Sequence, residues 1–251
     1  MMAITQKEKA VDAKDKIIVA LDVSSLDEVK SLVKELAPNV GYFKVGLQLL
    51  TAAGAPQVVG LLHGLGGKVF LDGKFNDIPN TVGEASAAAA KLGVAMFNVH
   101  ASAGIKAMKA AVQNKGSSQV LAVTVLTSLG EDSTRLIFGS SSKAKVLQFA
   151  RDAKIAGMDG IICSSQELEF LGKHEELASL LKVTPGIRPE WAAKGDQKRI
   201  STPAEAIKAG ATTLVIGRPI TKPPQEVGMP ADAAKRIALE ITSVLEEKKT
   251  I

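Results

Sequence analysis

The chain has a single cysteine, Cys163, among 251 residues, so no disulfide can form within it. Cys163 stands in an apolar run and reads as a small buried hydrophobe, and the reduced cytosol is the expected home of such a chain. Aromatic residues are scarce: one Trp, one Tyr and seven Phe. The core must therefore come from aliphatic residues and Ala. No basic run carries interleaved aromatics, so nucleic acid is not the expected partner. No apolar stretch reaches the roughly 20 residues of a membrane span. Met1 to Lys16 carries charges but no apolar segment, and reads as an N-terminal extension rather than a secretory signal. Histidines number only three, and no His, Cys and carboxylate spacing recommends a metal site. His63 falls in a helical stretch and His174 in a charged loop. His100, at a strand end, can either reach a pocket or hydrogen-bond along its rim. The net charge is +5 with lysines dispersed among glutamates, and a small anionic substrate accounts for part of the excess.

What is present is a repeated order of elements. Eight short apolar runs predict strands at Ile17–Asp22, Tyr42–Val45, Val69–Asp72, Ala95–His100, Val120–Leu126, Gly160–Cys163, Leu181–Thr184 and Thr213–Gly217. Their Val, Ile and Leu content runs without polar alternation, as in parallel strands buried on both faces. Helical patterns separate most of them. Ser25 to Glu28 and Thr202 to Glu205 have capping-box spacing, the second with Pro203 at the first helical position and Gly210 as its stop. Glu84 to Leu92 is an Ala-rich helix former, and Gly64 to Gly67 ends the helix before the third strand. Eightfold alternation predicts one (β/α)8 TIM barrel over residues 17–251, after an extension over residues 1–16. An open doubly wound sheet is the alternative. It usually shows a glycine fingerprint after its first strand, where Asp22 to Ser25 has no glycine.

In a barrel of this kind the site is built where the strands end. Polar residues gather there. Asp22 ends the first run, Lys44 lies near the end of the second, and Asp72 and Lys74 end the third. His100 ends the fourth, and Thr127 and Ser128 follow the fifth. Gly186 to Arg188 follow the seventh, and Gly217 and Arg218 the eighth. The last two loops predict a phosphate site: two glycines allow close backbone approach, and Arg188 and Arg218 supply paired donors. Asp72 and Lys74, two apart on a strand, are expected on one face, with Asp77 a few residues on. An ammonium among carboxylates suits the stabilising and protonating of a carbanion, the task left when CO2 departs.

The segment Asp72-Gly73-Lys74-Phe75-Asn76-Asp77-Ile78-Pro79-Asn80-Thr81 resembles the signature of the orotidine 5'-phosphate decarboxylase family, with Asp72, Lys74, Asp77, Ile78 and Thr81 at matching spacing. Ile18 to Asp22 looks like the family's first-strand motif and Phe43 to Gly46 its second. Thr124 to Ser128 looks like the segment whose Thr contacts the pyrimidine. Thr184 to Pro189 together with Gly195 to Arg199 looks like its phosphate-gripping loop, and Val215 to Ile220 its final phosphate motif. The resemblance spans about Ile17 to Ile220 in order. It implies cofactor-independent conversion of orotidine 5'-phosphate to UMP and CO2 in a free-standing cytoplasmic enzyme with no metal.

It also implies roles. Lys74, Asp72, Asp77 and Lys44 would be catalytic. Asp22 and Lys44 would hold the ribose, Thr127 and Gln197 would orient the pyrimidine, with Gln197 bridging to the phosphate, and Pro185, in the phosphate-gripping loop, would also bind substrate. Arg188, Arg218 and the Gly217 amide would hold the phosphate. In a homodimer, Asp77 and Thr81, with Ile78, would reach the partner's site. Gly73 stands where a larger residue is common and Asn76 where His is common. Trp191 is unexpected in that loop, where a lid closing on ligand would alter its emission. Two other readings stand beside this one. They are a metal-assisted sugar-phosphate relative with the same D-x-K-x-x-D pattern, which a chelator would inactivate, and a phosphate-binding barrel without turnover.

Overall fold

Ile17, Ile18, Val19 and Ala20 are all buried in the computed structural model, which describes residues 12–192 and 200–247. They form β1 (Ile17–Ala20), the first of eight parallel strands. After it come α1 (Leu26–Leu36), β2 (Tyr42–Val45), α2 (Leu47–Ala53), α3 (Ala55–Gly64), β3 (Val69–Phe75), α4 (Pro79–Lys91), β4 (Met96–His100) and α5 (Ile105–Gln113). The second half runs β5 (Gln119–Val123), α6 (Glu131–Phe138), α7 (Ser142–Ala156), β6 (Gly160–Ile162), α8 (Ser165–Gly172), β7 (Leu181–Thr184), α9 (Pro203–Lys208), β8 (Thr213–Ile216), α10 (Arg218–Thr221) and α11 (Pro230–Glu247). β8 pairs with β1 through Ile17↔Leu214 to Val19↔Ile216, so the sheet closes into a barrel.

Alternation along the strands sorts side chains into two cores. Ile18, Ala20, Phe70, Met96, Leu121, Val183 and Val215 point inward and fill the barrel, with Tyr42 and Ile162 packed against them. Val19, Phe43, Leu71, Phe97 and Ala122 point outward and belong to the core beneath the helices. Both faces are apolar, which is why the strands read as continuous hydrophobic runs. Cys163 is fully buried in the outer core, and burial pushes its thiol far above the ordinary value.

The helix signals act where the sequence puts them. Thr202 forms a complete capping box with Glu205. At α1, the Ser25 hydroxyl accepts from the Glu28 amide at 3.3 Å, while the Glu28 carboxylate reaches past it to Ser24 N at 3.2 Å. Before β1, a short 3-10 turn over Ala13–Lys16 buries Ala13. Among the described residues no helix is long and apolar enough to cross a membrane.

Two differences from the sequence expectation bear on the site. β3 runs on to Phe75 instead of stopping at Asp72, and its register against β4 shifts between Leu71 and Phe75. α4 begins at Pro79, five residues before the expected Ala-rich stretch, because Pro79 suits the first helical position. Trp191 packs against the outer core, with the Arg236 guanidinium of α11 5.5 Å from its ring centroid.

Candidate active site

At the C-terminal end of the barrel, directly above the apolar filling, four charged side chains meet. Lys44 points inward from β2, and its ammonium lies 3.2 Å from Asp22 Oδ1 and 3.2 Å from Asp72 Oδ2. Asp72 Oδ1 takes the Lys74 ammonium at 2.7 Å and the Asn98 side-chain amide at 2.6 Å. The side chains of Asp72 and Lys44 are only 8% and 12% exposed, against 29% for Lys74, so the inner pair meets little solvent screening. Burial pushes Asp72 up, but Lys44 and Lys74 together with the hydrogen bonds of Lys74 and Asn98 outweigh it and hold the carboxyl below its usual range. Burial likewise pushes Lys44 down, and the attraction of Asp72 and Asp22 reverses the shift, leaving its ammonium above its ordinary value.

Local backbone produces this arrangement. Lys74 has φ +50, the only positive φ outside glycine among the described residues. The β3 register shift and this left-handed residue turn the Lys74 side chain back over Asp72. Gly46 follows β2 because a Cβ there would stand 2.9 Å from Lys44 Nζ and press the ammonium away from its carboxylates.

These residues form one part of the wall of a cavity of about 430 Å³, within the range of small-ligand sites. The middle of the wall is apolar, from Phe70, Val123, Val125, Ile162 and Val215, with Thr127 beside them. Another part comes from the loops after β7 and β8, through Pro185, Gly186, Arg188, Gly217 and Arg218. Gly186 has φ +81, a backbone that non-glycine residues rarely adopt, and it turns the chain inward after Pro185. Arg188 is buried, and burial followed by the nearby Arg218 charge pushes its guanidinium below its ordinary value. A dianion between the two would relieve that repulsion.

The structure thus brings together Asp22, Lys44, Asp72, Lys74, Thr127, Pro185, Arg188, Gly217 and Arg218. Asp77, Ile78 and Thr81 are exposed and do not line the cavity, Ile78 being 66% accessible. Gln197 lies outside the described residues. His100 does not line the cavity. Burial and then the Lys74 charge push its imidazole below the ordinary value, with Asp72 pulling the other way. Asn98, Thr221 and Lys222 are polar residues of the site that sequence reasoning missed, and Gly46 was read only as part of the second-strand motif. The signal for Asn98 was a lone amide in the apolar run Met96–Val99.

Residues 15–237 match the model of the family described as orotidine 5'-phosphate decarboxylase / HUMPS. The chain belongs to this family. Among curated members, the orotidine 5'-phosphate decarboxylase of Geotalea daltonii is 46% identical over 241 residues, covering 92% of this chain and 98% of that protein. The enzyme of that name from Moorella thermoacetica is 46% identical over 244 residues, covering 92% and 94%. Among solved structures, orotidine 5'-phosphate decarboxylase from Lactobacillus acidophilus superposes with a TM-score of 0.76 at 34% identity, covering 90% of this chain and 98% of that one. The match spans all eight strands, including every strand end that lines the cavity.

Proposed function

We infer that this chain decarboxylates orotidine 5'-phosphate to UMP and CO2, the last step of de novo pyrimidine biosynthesis, with no cofactor. The observation that carries the reading is the Lys74 ammonium, held 2.7 Å from the Asp72 carboxylate in a cavity that also presents Arg188 and Arg218. Family membership and relatives of that name at 46% identity support the same substrate.

The residues divide the work. Arg188, Arg218 and the Gly217 amide grip the phosphate, far from the bond that breaks, and that binding energy supports the transition state at the ring. Asp22 and Lys44 hold the ribose hydroxyls. Thr127 and Pro185, both in the cavity wall, contact the pyrimidine, and the resemblance gives Gln197 the same role. Asp72 lies beside the substrate carboxylate, a repulsion that ends when CO2 departs. The C6–carboxyl bond breaks with its electron pair left on C6. The Lys74 ammonium stabilises that charge and gives C6 a proton, and the resulting amine regains one from water. Where a metal-assisted relative would need converging carboxylates, Lys44 already stands between Asp22 and Asp72.

The same reading makes the protein a homodimer in the cytoplasm. Asp77 joins the partner's charge network, with Ile78 and Thr81 completing the partner's wall. Their exposure beside their own chain's cavity, outside its lining, supports this.

Addition of the purified protein to orotidine 5'-phosphate should abolish the substrate's ultraviolet absorbance difference from UMP, and a chelator should leave the rate unchanged. Lys74→Ala should lose nearly all turnover while still binding UMP. A fall of less than about tenfold, about 1.4 kcal/mol, would remove Lys74 from the role given to it.

A further inference from the structure

Asn98 has no exposed surface, so it cannot touch a substrate, yet its amide is spent wholly on the two groups assigned to the chemistry. Along β4, Met96 and Asn98 both point into the barrel. Met96 belongs to the apolar filling, and Asn98 stands one layer higher, level with the floor of the charged site. A buried amide is costly there unless both its ends are paired. Its Nδ2 donates to Asp72 Oδ1 at 2.6 Å, and its Oδ1 accepts from the Lys74 backbone N–H at 2.7 Å. The opposite orientation would set the carbonyl against a carboxylate and the NH2 against an N–H. The contacts therefore fix the amide in one sense.

The strand register shows why such a residue is needed. Phe70 pairs with Met96 and Leu71 with Phe97, but the next pair is Phe75 with Val99. Asp72, Gly73 and Lys74 therefore all lie opposite Asn98 alone. A bulge of this kind takes backbone donors off the ladder. The Lys74 N–H is one of them, and Asn98 Oδ1 accepts it in place of a strand carbonyl. Lys74 also sits at φ +50, which a β-carbon disfavours and the surroundings must impose.

We propose that Asn98 is a positioning residue for decarboxylation, its amide locking the plane of the Asp72 carboxylate and the left-handed backbone of Lys74 into one arrangement. Without it, Asp72 Oδ1 keeps only the Lys74 ammonium as donor, and the Lys74 N–H loses the acceptor that holds the bulge. Proton delivery to C6 suffers because the geometry loosens, while the phosphate and ribose contacts elsewhere in the cavity remain. The inference rests on the roles proposed for Asp72 and Lys74.

The test compares Asn98→Ala, Asn98→Asp and Lys74→Ala by steady-state turnover of orotidine 5'-phosphate and by calorimetric titration with UMP. Asn98→Ala should lower kcat by tenfold or more and change the UMP dissociation constant by less than about threefold, since only the chemical step depends on the locked geometry. Asn98→Asp supplies a readout that mere packing would not move. Its new carboxyl must share a site with Asp72, so its own proton affinity rises. Protonated, it mimics the amide, donating to Asp72 and accepting from Lys74. The ratio of its kcat to that of the wild type should therefore climb as pH falls from about 9 to about 6. A kcat within threefold of wild type in Asn98→Ala, or a flat ratio in Asn98→Asp, overturns the proposal. Loss of UMP binding together with turnover in both variants also overturns it, by assigning Asn98 to the fold alone. If Lys74→Ala keeps its turnover, the underlying reading of the site has failed instead.

Discussion

Asp72 keeps its charge in a place where burial alone would remove it. The energetic consequence is a dependence on pH with a definite sign. Its folded-state proton affinity lies below that of an ordinary carboxyl near 3.8, because Lys44, Lys74 and Asn98 overcome desolvation. A carboxyl with a depressed folded value contributes stability that is complete above the unfolded value and lost as pH falls through the folded one. The difference in unfolding free energy between the wild type and Asp72→Asn should be constant from about pH 7 to about pH 5 and shrink only below about pH 4. A difference that instead grows as pH falls from about 7 to about 5 would mean that desolvation, which raises the folded value, and not the two lysines, dominates at Asp72. At this scale the sequence revealed which charges meet, since Asp72 and Lys74 are two apart at a strand end. It did not reveal how they meet. A strict two-residue period gives no hint of a left-handed Lys74, and one amide in an apolar strand reads as a packing irregularity until its partners are visible.

The order of strands and helices was readable because each buried strand carries a dense aliphatic run, and each break carries Gly, Pro or a capping residue. All eight runs became strands. Their ends were less readable. β3 outlasts its apolar run because inter-strand pairing to β4 resumes at Phe75 after the bulge, a long-range contact that no local window contains. The segment after β7 differs in kind. Trp191 was expected to report closure of that loop. Instead its ring packs on the outer core and beneath Arg236 of α11, a helix that does not line the cavity. Trp191 emission should therefore respond to Arg236→Ala, which bares the ring to a quencher, more strongly than to saturating UMP. A large UMP-induced shift in the wild type, with little effect of Arg236→Ala, would restore the loop as the moving element.

For the whole molecule, the sequence argued for a closed barrel by eightfold alternation and the missing glycine fingerprint. Pairing of β8 with β1 confirms the closure. The proposal that Asp77 to Thr81 serve a second chain's site rests on family resemblance, because nothing in their own pattern says which copy they serve. Subunit mixing decides it. Lys74→Ala and Asp77→Ala chains are each expected to be nearly inactive. In a heterodimer of the two, one site loses both groups and the other has both intact. Random exchange makes about half the dimers mixed, so about a quarter of full activity should return. No recovery after verified exchange would place Asp77 in its own chain's site.

The apolar filling of the barrel has one more consequence. Ile18, Phe70, Met96, Leu121, Val183 and Val215 block the axis below the charged layer, so the barrel is a cup and not a tube. Whatever enters through the rim must also leave through it. With Asp72 set deep against Asn98 and the arginines in the outer loops, the proposed binding mode makes a nucleotide seated by its phosphate its own stopper. The gas formed at its ring is then released on the inner side of that stopper, and the two products share a single exit.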